Sequence, residues 1–565
     1  MWNRALLGTF YLYFLCFIAD AAPVLRLSSA TVGPVSIAAG QNGPQQTLEA
    51  FNSGDGALSL TLASSATWAA ASTGAPRACT TRSGTCLPIN INLQTASLST
   101  GIHTARLTVA DPNAADAPQE VTVTVQIGGG VPDSVTLFVA PNGSADQAAF
   151  TTNSELRATP GTPWLTLALD GGGSFRFTYP YRIVATHQPG QAEGAYTGTM
   201  ALSGSTFAPD NKSVQVNLRV TSQPIARIAP ERLRFRLAQD ARPLAQFLTV
   251  SNRGLGTLAI ESVTASEPWL AAESVPGGFV RVTASPEGLA PGLRSATVTI
   301  AANAANAPVR VPVDLEIVAP GPPLITYRGV VDNTTFQGGG TLAPGMLAAL
   351  FGEQLTREEP ASAASLPLDT ELGGAKVLVN GEPAPVYFSS YGQITFQIPY
   401  STQPGPALVQ VERNGQRGNQ AQIPVDPSAP RLLRLGIGDY GILVNQDGTF
   451  PIPTTPGIPS RPARRGDALV IYAIGFGQTD PPVQSGVGAP GSPLAAVPGF
   501  SVSFAGGLQG TSNPVAPFFL GLTPGFVGLY QINVVVPDDV PSGPAISLYV
   551  ERGGVFSNRV ALAIE

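Results

Sequence analysis

The chain has 565 residues, of which only 12% are charged, and 31 Lys and Arg against 37 Asp and Glu leave a net charge of −6. Neither sign forms a long run, which argues against the concentrated basic surface that nucleic acid requires. The 62 Gly and 53 Pro, with Thr, Val and Ser filling the periodic stretches, describe many short strands joined by tight turns, in a chain long enough for several domains.

Met1-Trp2-Asn3-Arg4, an apolar run from Ala5 to Ile18 and Ala19-Asp20-Ala21 read as the basic, apolar and A-x-A parts of a signal peptide over residues 1–21. The apolar run falls short of the roughly 20 residues that a spanning helix needs. The expectation is export to the cell surface or the extracellular space, with no stable membrane insertion after cleavage. Cys16 lies in this segment without the small residues that a lipoprotein signal carries before its cysteine. The two remaining cysteines, Cys79 and Cys86, lie in one polar loop and are predicted to pair in an oxidising compartment. Closing so short a loop contributes roughly 2 to 3 kcal/mol in the chain-entropy model.

Trp68, Trp164 and Trp269 recur at near-constant spacing, and each is followed by a Gly that opens an alternating run: Gly101 to Val109, Gly194 to Leu202, Gly292 to Ile300. Each unit then closes on a second alternating run, Val121 to Ile127, Val214 to Val220 and Val311 to Ile317. One module is therefore used three times, at 22–128, 131–222 and 223–319. Gly and Pro clusters separate the modules and read as short stiff linkers, so the sequence predicts sandwiches strung out like beads. A tryptophan recurring once per unit is expected to plug the space between two sheets. Asp111-Pro112-Asn113-Ala114-Ala115-Asp116 has oxygens that calcium would accept, but Asp, Asn and Pro are also what a tight turn demands, and the turn is the preferred reading.

Past residue 324 a second duplication begins, spanning 324–428 and 429–565. Gln393-Ile394-Thr395-Phe396-Gln397-Ile398-Pro399 returns as Gln531-Ile532-Asn533-Val534-Val535-Val536-Pro537, and Val411-Glu412-Arg413-Asn414-Gly415 returns as Val550-Glu551-Arg552-Gly553-Gly554. These echoes predict two like β-domains, making an all-β chain of five tandem immunoglobulin-like β-sandwiches after a cleaved signal peptide.

The Pro-Trp-Leu element, the Gly-led strand after it and the final alternating strand resemble BACON-type immunoglobulin-like modules over about 22–318. That resemblance implies association with carbohydrate. Leu342-Ala343-Pro344-Gly345, Tyr391-Gly392-Gln393-Ile394, Gly475-Phe476-Gly477 and Gly525-Phe526-Val527-Gly528 resemble the C-terminal domain family of secreted Solibacter and other Acidobacteria proteins, over about 325–565. That resemblance implies export and a β architecture, and no chemistry.

The search for chemistry returns little. Gly436-Ile437-Gly438-Asp439-Tyr440-Gly441 matches G-x-G-x-x-G, but an Asp-Gly hairpin follows where a dinucleotide fold needs a helix, so no cofactor is expected. The two histidines, His103 and His187, fall in different modules and fit neither a hydrolase triad nor a zinc site. In Phe175-Arg176-Phe177-Thr178-Tyr179-Pro180-Tyr181-Arg182 alternation places four aromatics on one face. An inward core face is the plainer reading, while Tyr179 and Tyr181, near the strand end, are candidates to stack on a sugar ring. The sequence thus reads as a secreted, non-enzymatic surface protein with an adhesive or spacer role. The alternative is a carbohydrate-binding protein acting through the BACON-type modules, with polysaccharide or another matrix component as partner. A hydrolase between the C-terminal domains is the distant third reading.

Overall fold

The computed structural model describes residues 22–141, 143, 145–170, 178–505 and 514–565. The expected signal segment, residues 1–21, and Phe175 to Phe177 fall outside the described residues. Among the described residues, apart from one 3-10 turn at Ala208–Asp210, the regular structure is strand, arranged as tandem immunoglobulin-like β-sandwiches around five hydrophobic cores.

Alternation builds the three N-terminal modules. In the strand Gly101–Ala110 every second residue from Ala105 turns inward, and it pairs antiparallel with Gln119–Ile127, whose Val121, Val123 and Val125 are buried. Each such aliphatic side chain contributes about 1.5 to 3 kcal/mol on full burial. Gly194–Ser203 with Ser213–Val220 and Gly292–Ala302 with Val309–Val318 repeat the ladder in modules 2 and 3. Their registers coincide, since Gly101, Gly194 and Gly292 stand opposite Ile127, Val220 and Ile317. These glycines have φ of 124°, 155° and 138°, a region costly for side chains, which explains why each ladder opens on Gly. In each module an earlier strand pairs in parallel with the closing one: Thr31–Ile37, Ser134–Val139 and Leu233–Ala238.

Domains 4 and 5 repeat each other in the same sense. Leu347–Glu353 pairs with Gln393–Gln397 so that Phe351 faces Gln393, and Ala468–Ile474 pairs with Tyr530–Val535 so that Tyr472 faces Gln531. The two ladders therefore align the Gln-Ile segments that the sequence duplicates.

The string of beads is not what forms. Module 1 touches module 3 and domain 4, neither of which adjoins it in the chain. The amide of Asp116 donates to the Gln420 carbonyl at 2.8 Å, and Gln422 N donates to Asp116 Oδ1 at 2.7 Å. Tyr391 of domain 4 packs against the core of module 3 and accepts a bond from Ala238 N at 2.8 Å. The linkers are held as well. Buried Asp210 accepts from Gly130 N at 2.8 Å, and buried Arg413 donates to the carbonyls of Gly321 and Gln354. Linker composition reports stiffness; the direction in which a chain folds back is set by single side chains of this kind.

The tryptophans also divide. Trp164 is 7% exposed and lies inside the module 2 core, whereas Trp68 and Trp269 are half-buried, packing on their cores along one side only. The interior-plug expectation therefore holds in full for Trp164 alone.

Candidate functional site

Five charged side chains meet where module 1, module 3 and domain 4 converge. Ala105 and Leu107 point into the core of module 1, so Arg106 between them points out, and Glu120 does the same beside Val121. In module 3, Phe235 and Leu237 turn Arg236 outward, and the parallel register sets it opposite Glu316. Glu353 ends the domain 4 strand Leu347–Glu353. Arg106 reaches Glu120 at 3.2 Å and Glu316 at 2.7 Å, while Arg236 reaches Glu120 at 3.3 Å, Glu316 at 3.5 Å and Glu353 at 2.5 Å. Three carboxylates thus share two guanidinium groups. Burial raises the Glu120 pKa against the pull of Arg106 and Arg236, and Glu353 and Glu316 add to the rise by repulsion. Burial lowers that of Arg236, but the three surrounding carboxylates outweigh it and the net direction is up. Beside this cluster the Tyr391 hydroxyl is pushed up to about 12, mainly by burial.

A cleft of about 750 Å³ runs along the same seam between the facing sheets of modules 1 and 3. Trp68 lines one wall. Ile102 and Leu293, which follow the equivalent glycines of the two modules, are 68% and 66% exposed and form apolar lips. The polar lining is mostly engaged: Asp314 accepts from Arg232 at 2.7 Å and from Ser295 Oγ at 3.1 Å, and Glu316 is held by both junction arginines. His103 also lines the cleft, with Nε2 2.8 Å from the Ser99 carbonyl. Arg234 is exposed there and has no ion-pair partner among the described residues.

Of the residues singled out from sequence, Cys79 and Cys86 form a disulfide. Their loop docks on buried Glu49, which accepts from Thr80 N at 3.0 Å. Glu49 and the two sulfurs are the one metal-like grouping among the described residues, and the disulfide removes both sulfurs as ligands. Tyr181 does not project. It is 3% exposed, stacks on Phe150 at 5.5 Å and accepts from Leu156 N, so no ring face is left for a sugar. Tyr179 packs partly buried against the same core. The strand Tyr179–Thr186 is paired on both sides within its sheet, and alternation puts its odd-numbered residues on the face that packs into the sandwich.

The carboxylates of the Asp111–Asp116 turn are occupied by the protein itself. Asp111 accepts from Ser59 N and Asn113 N, and Asp116 from Gln422 N, with Arg26 paired to its second oxygen. The Asp447-Gly448 segment makes the predicted hairpin turn, with Gly448 N donating to the Asn445 carbonyl at 2.9 Å. His187 Nε2 lies 3.0 Å from the Gln191 carbonyl.

The junction arginines and glutamates escape sequence reading. An outward Arg or Glu on an alternating strand looks like any solvated residue, and only the docking of distant modules reveals it.

No family model and no curated protein matches the chain. Among solved structures, an endo-fucoidan hydrolase from glycoside hydrolase family 107 aligns over 53% of this chain and 45% of its own, at 13% identity and a TM-score of 0.19. The alignment thus spans less than half of that enzyme. The extracellular cadherin domains 1–4 of protocadherin gamma B7 align over 63% of this chain and 91% of theirs, at 13% identity and 0.15. An I-band fragment of titin covers 54% and 98%, at 8% identity and 0.14. Scores this low license no transfer of activity or ligand. Among the described residues no helix is long and apolar enough to cross a membrane.

Proposed function

We propose that the chain is a non-enzymatic extracellular protein with an adhesive or structural role, working as a clamped body of five sandwiches. The observation that carries this reading is the shared junction of Arg106, Glu120, Arg236, Glu316 and Glu353, which holds module 1 to the pair of module 3 and domain 4 across the intervening module 2. A clamp of this kind resists relative motion and presents fixed surfaces, which is what an adhesive or load-bearing element needs. The Cys79–Cys86 disulfide fits an oxidising compartment. Both histidines are bonded to nearby backbone carbonyls within different modules. Small-angle scattering of the chain tests the clamp. Five modules end to end would reach roughly 170 Å, taking about 33 Å for a ten-residue strand. The expected maximum dimension is clearly shorter, and a value near the full length would reject the reading.

The second reading, binding of carbohydrate through modules 1 and 3, is favoured by one observation: Trp68 is half-buried with its free side in a cleft that these two modules share. Binding of oligosaccharides by the whole chain, lost in Trp68→Ala, is its test.

A further inference from the structure

We propose that the cleft between modules 1 and 3 is the seat of an acidic saccharide, a chain bearing carboxylate or sulfate groups. The inference rests on the carbohydrate reading above and names the class of sugar. Three features of the cleft converge on it. The first is apolar surface arranged as separate small patches, the Trp68 indole on one wall and the lips Ile102 and Leu293 on either side. Such patches suit the C–H faces of pyranose rings, which present flat apolar area between hydroxyl groups. The second is size, since about 750 Å³ lies within the ordinary range of ligand clefts.

The third feature is charge, and it sets the class. Asp314 and Glu316, acids that line the cleft, are already bound by Arg232 and by Arg106 with Arg236. What remains open is the exposed guanidinium of Arg234, with five N–H donors and no acid partner among the described residues. A cleft whose two acids are already paired and which keeps one arginine open selects a ligand that brings its own anionic acceptors, and a planar guanidinium matches carboxylate and sulfate oxygens in pairs.

An acidic peptide is the other class with suitable charge, and the walls speak against it. Extended peptides are captured chiefly by the open edge of a sheet. Gly101–Ala110, Gln119–Ile127, Gly292–Ala302 and Val309–Val318 are interior strands of their sheets and offer the cleft side chains, and Leu233–Ala238, the edge strand that carries Arg234, has the Arg234 carbonyl taken by Gln246 Nε2 at 2.8 Å and Ala238 N taken by the Tyr391 hydroxyl at 2.8 Å.

The test is affinity electrophoresis or calorimetry of the whole chain with oligogalacturonate, dextran sulfate and neutral dextran, at low and high salt. The expected result is binding of at least one acidic polymer, weakened by salt, with neutral dextran bound at least tenfold more weakly. The carboxylate and sulfate arms tell which group is preferred. Arg234→Glu is expected to lower affinity at least tenfold and Trp68→Ala several-fold. Arg219→Glu, the same charge change at an exposed site of module 2, is expected to leave affinity within twofold. Equal binding of neutral dextran, an equal loss in Arg219→Glu, or displacement of the sugar by polyglutamate would each overturn the proposal. If neutral dextran alone binds and Trp68→Ala abolishes it, the carbohydrate reading survives and the acidic class falls. Binding of none of the three sinks both, while the scattering test of the clamped body stands independently.

Discussion

Two seams of this molecule solve the same problem with different chemistry. Between domains 4 and 5 the join is mostly neutral and buried: Ile474 of domain 5 belongs to the core of domain 4, Gly486 N donates to Gln397 Oε1 at 2.7 Å, and Tyr400 N donates to Ser485 Oγ at 2.9 Å, with a single ion pair, Arg431 to buried Asp332 at 3.5 Å, among the described residues. Where module 1 meets module 3 and domain 4, the join is a cluster of five charges that are each partly wet, with side-chain exposures from 19% to 39%. The neutral seam gains from area removed from water, which salt barely affects. The charged one gains from Coulomb attraction that solvent and salt screen. Module 1 is therefore expected to separate first as salt rises, with domains 4 and 5 still joined.

The largest expected effect probes the neutral side. Tyr530 is fully buried, contacts Phe476 and donates from its hydroxyl to the Gly477 carbonyl at 2.5 Å. Tyr530→Ala should cost domain 5 about 3 to 5 kcal/mol. Tyr530→Phe, which keeps the ring and leaves that carbonyl without its donor, should cost about 1 to 2 kcal/mol. Urea unfolding followed by hydrogen exchange in Tyr530–Val535 measures both, and module 1 should unfold as before. A simultaneous shift in module 1 would mean that the two seams are coupled.

Tyr391 comes next because it bridges the two kinds of seam. Its ring lies against the module 3 core and its hydroxyl caps Ala238 N, so Tyr391→Ala should cost about 2 to 3 kcal/mol. Faster amide exchange in Leu233–Ala238 is the readout. An unchanged rate would show that domain 4 is held by other contacts.

Legibility in the sequence follows the same division. The sandwiches were readable because alternation and the Gly-led ladders are local signals, and the shared registers of Gly101, Gly194 and Gly292 follow from them. The Cys79–Cys86 pair was readable from loop length and compartment. The placement of modules was not, because Arg106 and Glu316 are neighbours only after two sandwiches dock, and nothing near either in the chain records it. Tyr181 follows the plainer, inward reading: alternation along Tyr179–Thr186 places it on the buried face, and its nearness to the strand end, which made it a candidate to stack on a sugar, does not change that face. Trp68 was expected inside because a tryptophan recurs once per module; that it lines a cleft follows only from the docking of module 3 beside it, which no local signal records.

Arg236→Met addresses the charged seam directly. The substitution keeps most of the side-chain volume, leaves Glu120 and Glu316 with Arg106 as their one shared cation, and leaves Glu353 without an ion-pair partner among the described residues. At this degree of exposure the loss should be about 1 to 2 kcal/mol, below the figure for a fully buried pair. Scattering should show a larger maximum dimension than the unaltered chain at the same salt, and the unaltered chain should approach it as salt is raised. If Arg236→Met is as compact as the parent and equally indifferent to salt, the backbone bonds at Asp116 are what hold module 1, and the contrast between the seams fails.

The smallest effect is also the most diagnostic, because its sign is unusual. Glu120 faces Arg106 on its own sheet, Arg236 and Glu316 from module 3 and Glu353 from domain 4, and in the docked state burial raises its pKa above the ordinary value. Undocking restores the ordinary value, so the docked state binds a proton more tightly and gains stability as pH falls through the raised value; the penalty is complete above it. Module 1 should accordingly close more firmly between neutrality and the ordinary carboxylate range, where most interfaces held by carboxylates weaken. Glu120→Gln removes the surplus negative charge outright and should give, at neutral pH, the compactness that the parent reaches in mild acid, with the pH dependence flattened. Scattering profiles across that window decide the matter: a parent that opens on mild acidification, or a Glu120→Gln chain that is looser at neutrality, would mean that Glu120 serves the junction as an ordinary ion-pair partner.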